Sequence, residues 1–127
     1  MRSGATTAYS ALALAIAVGV IVQVFLAGLG IFGAESFDAH EGLGWIIHTA
    51  AIAVFLLALL GPRTGRAIGL SFALLVLMTV QIMLVGARED TPYLAALHPT
   101  LALFVLGLAF HIGMPLISRR RAASAPR

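Results

Sequence analysis

The chain holds two glutamines, Gln23 and Gln81, and each is followed seventeen residues later by a histidine, His40 and His98. Both pairs share one offset of 58 residues, as do Gly28 and Gly86, Leu26 and Leu84, and Leu43 and Leu101. Apolar coincidences mean little in a chain that is 61% hydrophobic, but Gln and His are rare in it. The motif Q-x-x-L-x-G, then eleven residues, then His therefore reads as an internal repeat. A neutral imidazole is a common metal ligand. A buried carboxamide must find hydrogen bonds. A glycine in both copies either lets helices pack closely or leaves room for a flat ligand. Arg88 follows the second copy and suits a carboxylate, which arginine binds bidentately; its simpler role is an ion pair with Glu89 or Asp90. His48 and His111 stand outside the repeat, their counterparts being Leu106 and Ala53. Their structural role would be a hydrogen bond to a helix carbonyl or to Thr49. Their functional role would be a second haem, or for His48 a proton or quinone role, since intramembrane ionisable groups are functional candidates.

The elements that must position these residues follow from composition. Only 10% of the chain is charged, against about 25% in an average soluble domain, so an ordinary solvated surface is excluded. Without cysteine there is no disulfide, thiolate metal site or Cys-x-x-Cys-His attachment. Four apolar runs, at about residues 8–32, 40–60, 67–87 and 99–117, each approach the roughly 20 residues that cross a bilayer. The last has a short helical lead-in from Pro92. The first is too long for a cleaved signal sequence and lacks an A-x-A site. Short connectors make neighbouring helices antiparallel, so the expected fold is an all-α, integral membrane four-helix bundle, a single four-span domain. Apart from Glu41 at the edge of the second run, no charge falls within the runs, which argues against a channel or transporter.

Arg2, Arg63, Arg66, Arg119, Arg120, Arg121 and Arg127 fall on one side of such a bundle. Glu35, Asp38, Glu41, Glu89, Asp90 and Arg88 fall on the other. The positive-inside rule then places both termini in the cytoplasm of a multi-pass protein of the cytoplasmic membrane. The same segregation explains the sequence pI near 10.7 without a nucleic-acid partner, and Arg119–Arg121 read as an anchor for the last helix. Trp45 suits an interfacial anchor, and Asp38 with Glu41 suggests a capping box.

Each repeat, at about residues 8–58 and 66–116, is two helices. The copies enter the membrane in the same sense and are related by a pseudo-twofold axis along its normal. That operation sets His40 and His98 at one depth, near the outer face, on opposite sides of the axis. Two imidazoles so placed meet the demand of bis-histidine haem ligation.

At these same residues the chain resembles one four-helix half of the haem A synthase family, in which a Gln and Gly motif ends one helix and a His opens the next. The likeness covers about Gln23–Leu60 and Gln81–His111. It implies that His40 and His98 ligate haem, with Gln23, Gln81, Gly28, Gly86 and Arg88 around it. The chain has one half of that arrangement and no loop Cys pair, so haem binding is expected rather than full synthase activity. It also resembles small bacterial four-helix membrane proteins of undefined activity. The expectation is a membrane cytochrome binding haem b and transferring single electrons, with quinone or an extracytoplasmic redox protein as partner and a homodimer as assembly. The alternatives are a cofactor-free accessory or assembly subunit, and a haem-handling protein on the synthase scaffold.

Overall fold

The computed structural model describes residues 2–124. Arg127, and the side chains of Arg2, Arg119, Arg120 and Arg121, lie outside the described residues. The elements are α1 (Arg2–Ile31), α2 (Asp38–Leu60), α3 (Gly65–Gly86), a single turn α4 (Pro92–Ala95) and α5 (Leu97–Ser124). Four segments are long and apolar enough to cross a membrane: Ser3–Ile31, Asp38–Leu60, Gly65–Gly86 and Pro92–Ser118. Helix is the element such runs must adopt in lipid, because it satisfies each backbone N–H and C=O within the segment. The helices outrun several of the expected apolar runs, since polar ends such as Arg2 and Arg66 continue the helix beyond the apolar stretch. Pro92 opens the short turn that leads into α5, as the sequence suggested.

Local chemistry sets the helix boundaries. Gly33, with φ of 71°, turns the chain after α1 in a left-handed conformation that glycine takes without a Cβ penalty. Thr64 caps α3, its side chain accepting from the Ala67 N–H at 3.1 Å. The start of α2 departs from expectation. Its N-cap is Phe37, with no side-chain cap, and the Asp38 N–H instead donates to Ser36 Oγ at 3.3 Å. Asp38 is thus the first helical residue rather than the cap, so no Asp38–Glu41 capping box forms. Both acids still lie in the first turn, where the helix dipole favours negative charge.

The packing is a closed ring: α2 and α5 each touch both α1 and α3, so α1 lies diagonal to α3 and α2 diagonal to α5. The core is built from small and branched side chains. Ala13, Ile16 and Val20 of α1 are buried, and so are Ser71, Leu74 and Met78 of α3, each 58 residues on. Ile47, Ala51 and Val54 of α2 are matched in the same way by Val105, Ala109 and Ile112 of α5. Across one diagonal, Tyr9 Oη donates to the Ala67 carbonyl at 3.3 Å, and Ser71 Oγ donates to the same carbonyl. The outward faces carry large apolar side chains, among them Phe25, Ile46, Phe72, Leu103 and Phe104, all exposed. An exterior this apolar is consistent with a lipid bilayer environment.

Gly113 of α5 lets that helix pack closely on α1. A Cβ there would fall on the Leu14 side chain and lie 3.1 Å from the Ser10 carbonyl oxygen. Gly113→Val should therefore destabilise the bundle by about 1–3 kcal/mol. Gly107→Val, at a position with nothing within 4 Å of the added Cβ, should stay within about 0.5 kcal/mol of the parent. Detergent unfolding followed by circular dichroism reads both.

Candidate functional site

His40 is the third residue of α2 and His98 the second of α5. Those helices are diagonal neighbours, and the two rings meet across the bundle with centroids 6.1 Å apart and planes at 66°. His40 Nδ1 lies 3.1 Å from the Gln23 carbonyl oxygen, and His98 Nδ1 lies 3.2 Å from the Gln81 carbonyl oxygen. A carbonyl only accepts, so each Nδ1 carries the proton and donates. Each neutral ring then keeps its lone pair on Nε2. This is the arrangement that prepares imidazole for a metal, the second nitrogen fixing tautomer and ring orientation. Two imidazoles bound end-on to one metal, with metal–nitrogen distances of about 2 Å, hold their ring centres roughly 6 Å apart.

Beneath the rings lies a cavity of about 570 Å³, within the range of roughly 300–1,000 Å³ usual for small-molecule and cofactor pockets. His40, His98, Gln23, Gln81, Gly28, Gly86 and Arg88 all line it, so every residue expected at the site borders one space. The remaining wall is mostly apolar, including Val20, Val24, Ile47, Ile82 and Val105. Gly28 and Gly86 each have nothing within 4 Å of an added Cβ. They leave space rather than bring helices together. Gly30 and Gly44 are different: a Cβ on Gly30 would lie 2.7 Å from the Phe37 ring, and one on Gly44 would lie 3.1 Å from Gln23 Nε2.

The glutamines serve through their backbones. Gln23 and Gln81 use main-chain carbonyls to hold the histidines, while both buried Oε1 atoms lack a hydrogen-bond partner. Side-chain bonding between α1 and α3 is therefore not their role. An unmet buried acceptor costs roughly 1–3 kcal/mol, so the cavity wall gains from any occupant that brings a donor. Arg88 Nη1 donates to the Val85 carbonyl at 3.3 Å. It forms no ion pair with Glu89 or Asp90, and Glu41 is the acid that shares the cavity wall with it.

The other two histidines are not brought together. His48 Nε2 lies 3.2 Å from Thr79 Oγ1 of α3, whose hydroxyl itself donates to the Leu75 carbonyl. Thr79 thus accepts from His48, and the expected partner Thr49 instead donates to Trp45. His111 Nε2 lies 3.0 Å from Arg66 Nη2, near the opposite end of the bundle. The Trp45 ring lines the main cavity and meets His48 edge-on at 6.1 Å. Phe37 was not legible as a site residue. Its ring fills the notch at Gly30 and stands edge-on to His40, centroids 6.2 Å apart. An aromatic residue three positions before the histidine, facing a glycine of the preceding helix, is the signal that could have found it.

Residues 23–88, just over half of the chain, match the model of a family of unknown function, DUF6220. The chain belongs to this family. The matched stretch opens on Gln23 and closes on Arg88, taking in every expected site residue except His98. No curated protein and no solved structure matches the chain.

Proposed function

We propose that this DUF6220 chain is a membrane cytochrome that holds one haem b between His40 and His98. The carrying observation is the equivalent setting of the two histidines: each is oriented by the carbonyl of the Gln seventeen residues before it, and the ring centroids lie 6.1 Å apart, edge-on, at a shared cavity. A tandem two-helix repeat with a pseudo-twofold axis along the bundle accounts for this equivalence. Burial at positions 58 residues apart supports that reading. So does the contact of Tyr9 with Ala67, at the same offset.

The donor set suits the group. Nε2 of each histidine would be the ligand atom, and the Gln23 and Gln81 carbonyls would fix ring tautomer and direction. Gly28 and Gly86 would leave clearance for a flat ring, and the apolar wall would keep water out. Haem with two imidazole ligands supplies one-electron transfer. Arg88 would face a propionate at the rim, holding the cofactor in one orientation and lending positive charge to the site. The positive-inside distribution of arginines supports both termini in the cytoplasm, with the histidines toward the outer face. Quinone or an extracytoplasmic redox protein would exchange the electron, and a homodimer would set two such sites side by side.

Titration of the purified full chain with haem tests the reading. Saturation is expected at one haem per chain. Two per chain would mean a second site away from the paired histidines, and no binding would remove the proposal. In the loaded protein, Arg88→Gln should lower the midpoint potential, because losing a positive charge favours the oxidised state. The expected size is tens of millivolts, given about 59 mV per tenfold for a one-electron couple. Redox potentiometry measures it.

A further inference from the structure

The bundle has a second cavity, of about 460 Å³, at the end opposite the paired histidines. It lies between α1, α3 and α5, below the α2–α3 connector, and its wall is mixed, with Thr64, Arg66 and His111 beside Leu70, Ile112 and Met114. Arg66, at the start of α3, donates from Nη2 to His111 Nε2 at 3.0 Å. That contact orients the guanidinium without neutralising it, because a neutral imidazole carries no charge. No acid stands nearby to do so: Glu35, Asp38, Glu41, Glu89 and Asp90 all sit in the connectors and helix starts of the other end. Ser10 lines the same cavity, is 4% exposed, and its hydroxyl has no hydrogen-bond partner among the described residues. Pro115 also lines it and has no N–H to give to the His111 carbonyl one turn earlier.

Arg63 differs. Its Nε donates to the Leu59 carbonyl at 2.9 Å, where it serves the C-terminal end of α2. Among the described residues, Arg66 is thus the cation that faces this cavity, with no counter-ion beside it. Both Arg66 and His111 are exposed on the outside of the bundle, so the cavity mouth faces the surroundings of the helices. A cavity between membrane helices, near their ends and carrying an exposed arginine, fits a lipid headgroup.

We propose that this cavity binds the phosphate of an anionic phospholipid, with Arg66 as the charged contact and His111 and Ser10 beside it. The site is independent of the haem reading. Its test is native mass spectrometry of the full chain released from detergent, with dioleoyl phosphatidylglycerol, dioleoyl phosphatidylcholine or inorganic phosphate added. The wild type should retain phosphatidylglycerol in preference to phosphatidylcholine. Arg66→Gln should cut that retention about fivefold or more, while Arg63→Gln should leave it unchanged. Circular dichroism checks that each variant is folded. Should Arg66→Gln not fold, His111→Gln decides, with a loss of retention in the same direction expected. Equal retention by the wild type and the deciding variant would overturn the site. Competition by inorganic phosphate at matched concentration would overturn the lipid as its source.

Discussion

His98→Ala is expected to abolish stable haem binding, lowering affinity at least about 100-fold, since loss even of a supporting hydrogen bond around a metal ligand typically costs 10–100-fold. His40→Ala should do the same, and to a similar degree. The two rings occupy equivalent settings, each with Nδ1 on a Gln carbonyl at 3.1 or 3.2 Å. A large inequality between the two variants would mean that the site is not a symmetric pair. His48→Ala and His111→Ala serve as the internal comparison. They remove imidazoles whose partners are Thr79 and Arg66, so haem affinity should stay within about threefold of the parent, the scatter expected for residues off the ligand set. Absorbance titration of the purified chains measures all four.

The second large effect is expected from filling the space under the rings. Gly28 and Gly86 face the cavity with nothing within 4 Å of an added Cβ. Gly28→Leu combined with Gly86→Leu should therefore keep the bundle folded. Each replacement should even gain roughly 0.5–1 kcal/mol of helix stability, because glycine is a poor helix former. The added side chains would occupy the clearance a macrocycle needs, and haem binding should fall at least tenfold. The competing role of these glycines, close helix packing, predicts the opposite order: loss of the fold before loss of the ligand. Thermal unfolding and haem titration on the same sample separate the two. Gly113→Val supplies the contrast, since there the added carbon meets Leu14 and backbone.

Much of this arrangement was legible in the residues. Long apolar runs with short connectors dictate four antiparallel helices, and the helices observed begin and end within a few residues of those runs, apart from an early start of α1 at Arg2 and a late end of α5 at Ser124. The two histidines stand in first helical turns, as the spacing implied. All seven residues singled out by the repeat and its flank line one cavity. What was not legible lies one level below pattern. A glutamine in an apolar helix invites a side-chain role, but only coordinates reveal that its carbonyl is the acceptor and its Oε1 is left without a partner. Helical periodicity does not say which helices are diagonal, so neither the His48–Thr79 contact nor the Arg66–His111 contact could be read from spacing. Asp38 and Glu41 have the spacing of a capping box, yet α2 starts one residue too early for it because Phe37 packs over Gly30 and sets the entry of the chain.

The most direct test of the central proposal is the absorption spectrum of the wild-type chain, purified in detergent and supplied with haem, first oxidised and then reduced with dithionite, with electron paramagnetic resonance on the oxidised sample. Ligation by His40 and His98 together predicts a sharp reduced band and a low-spin ferric signal, both characteristic of six-coordinate haem with two imidazoles. A chain that stays colourless after haem is supplied, or that gives a high-spin spectrum unchanged by His40→Ala and His98→Ala, would contradict it.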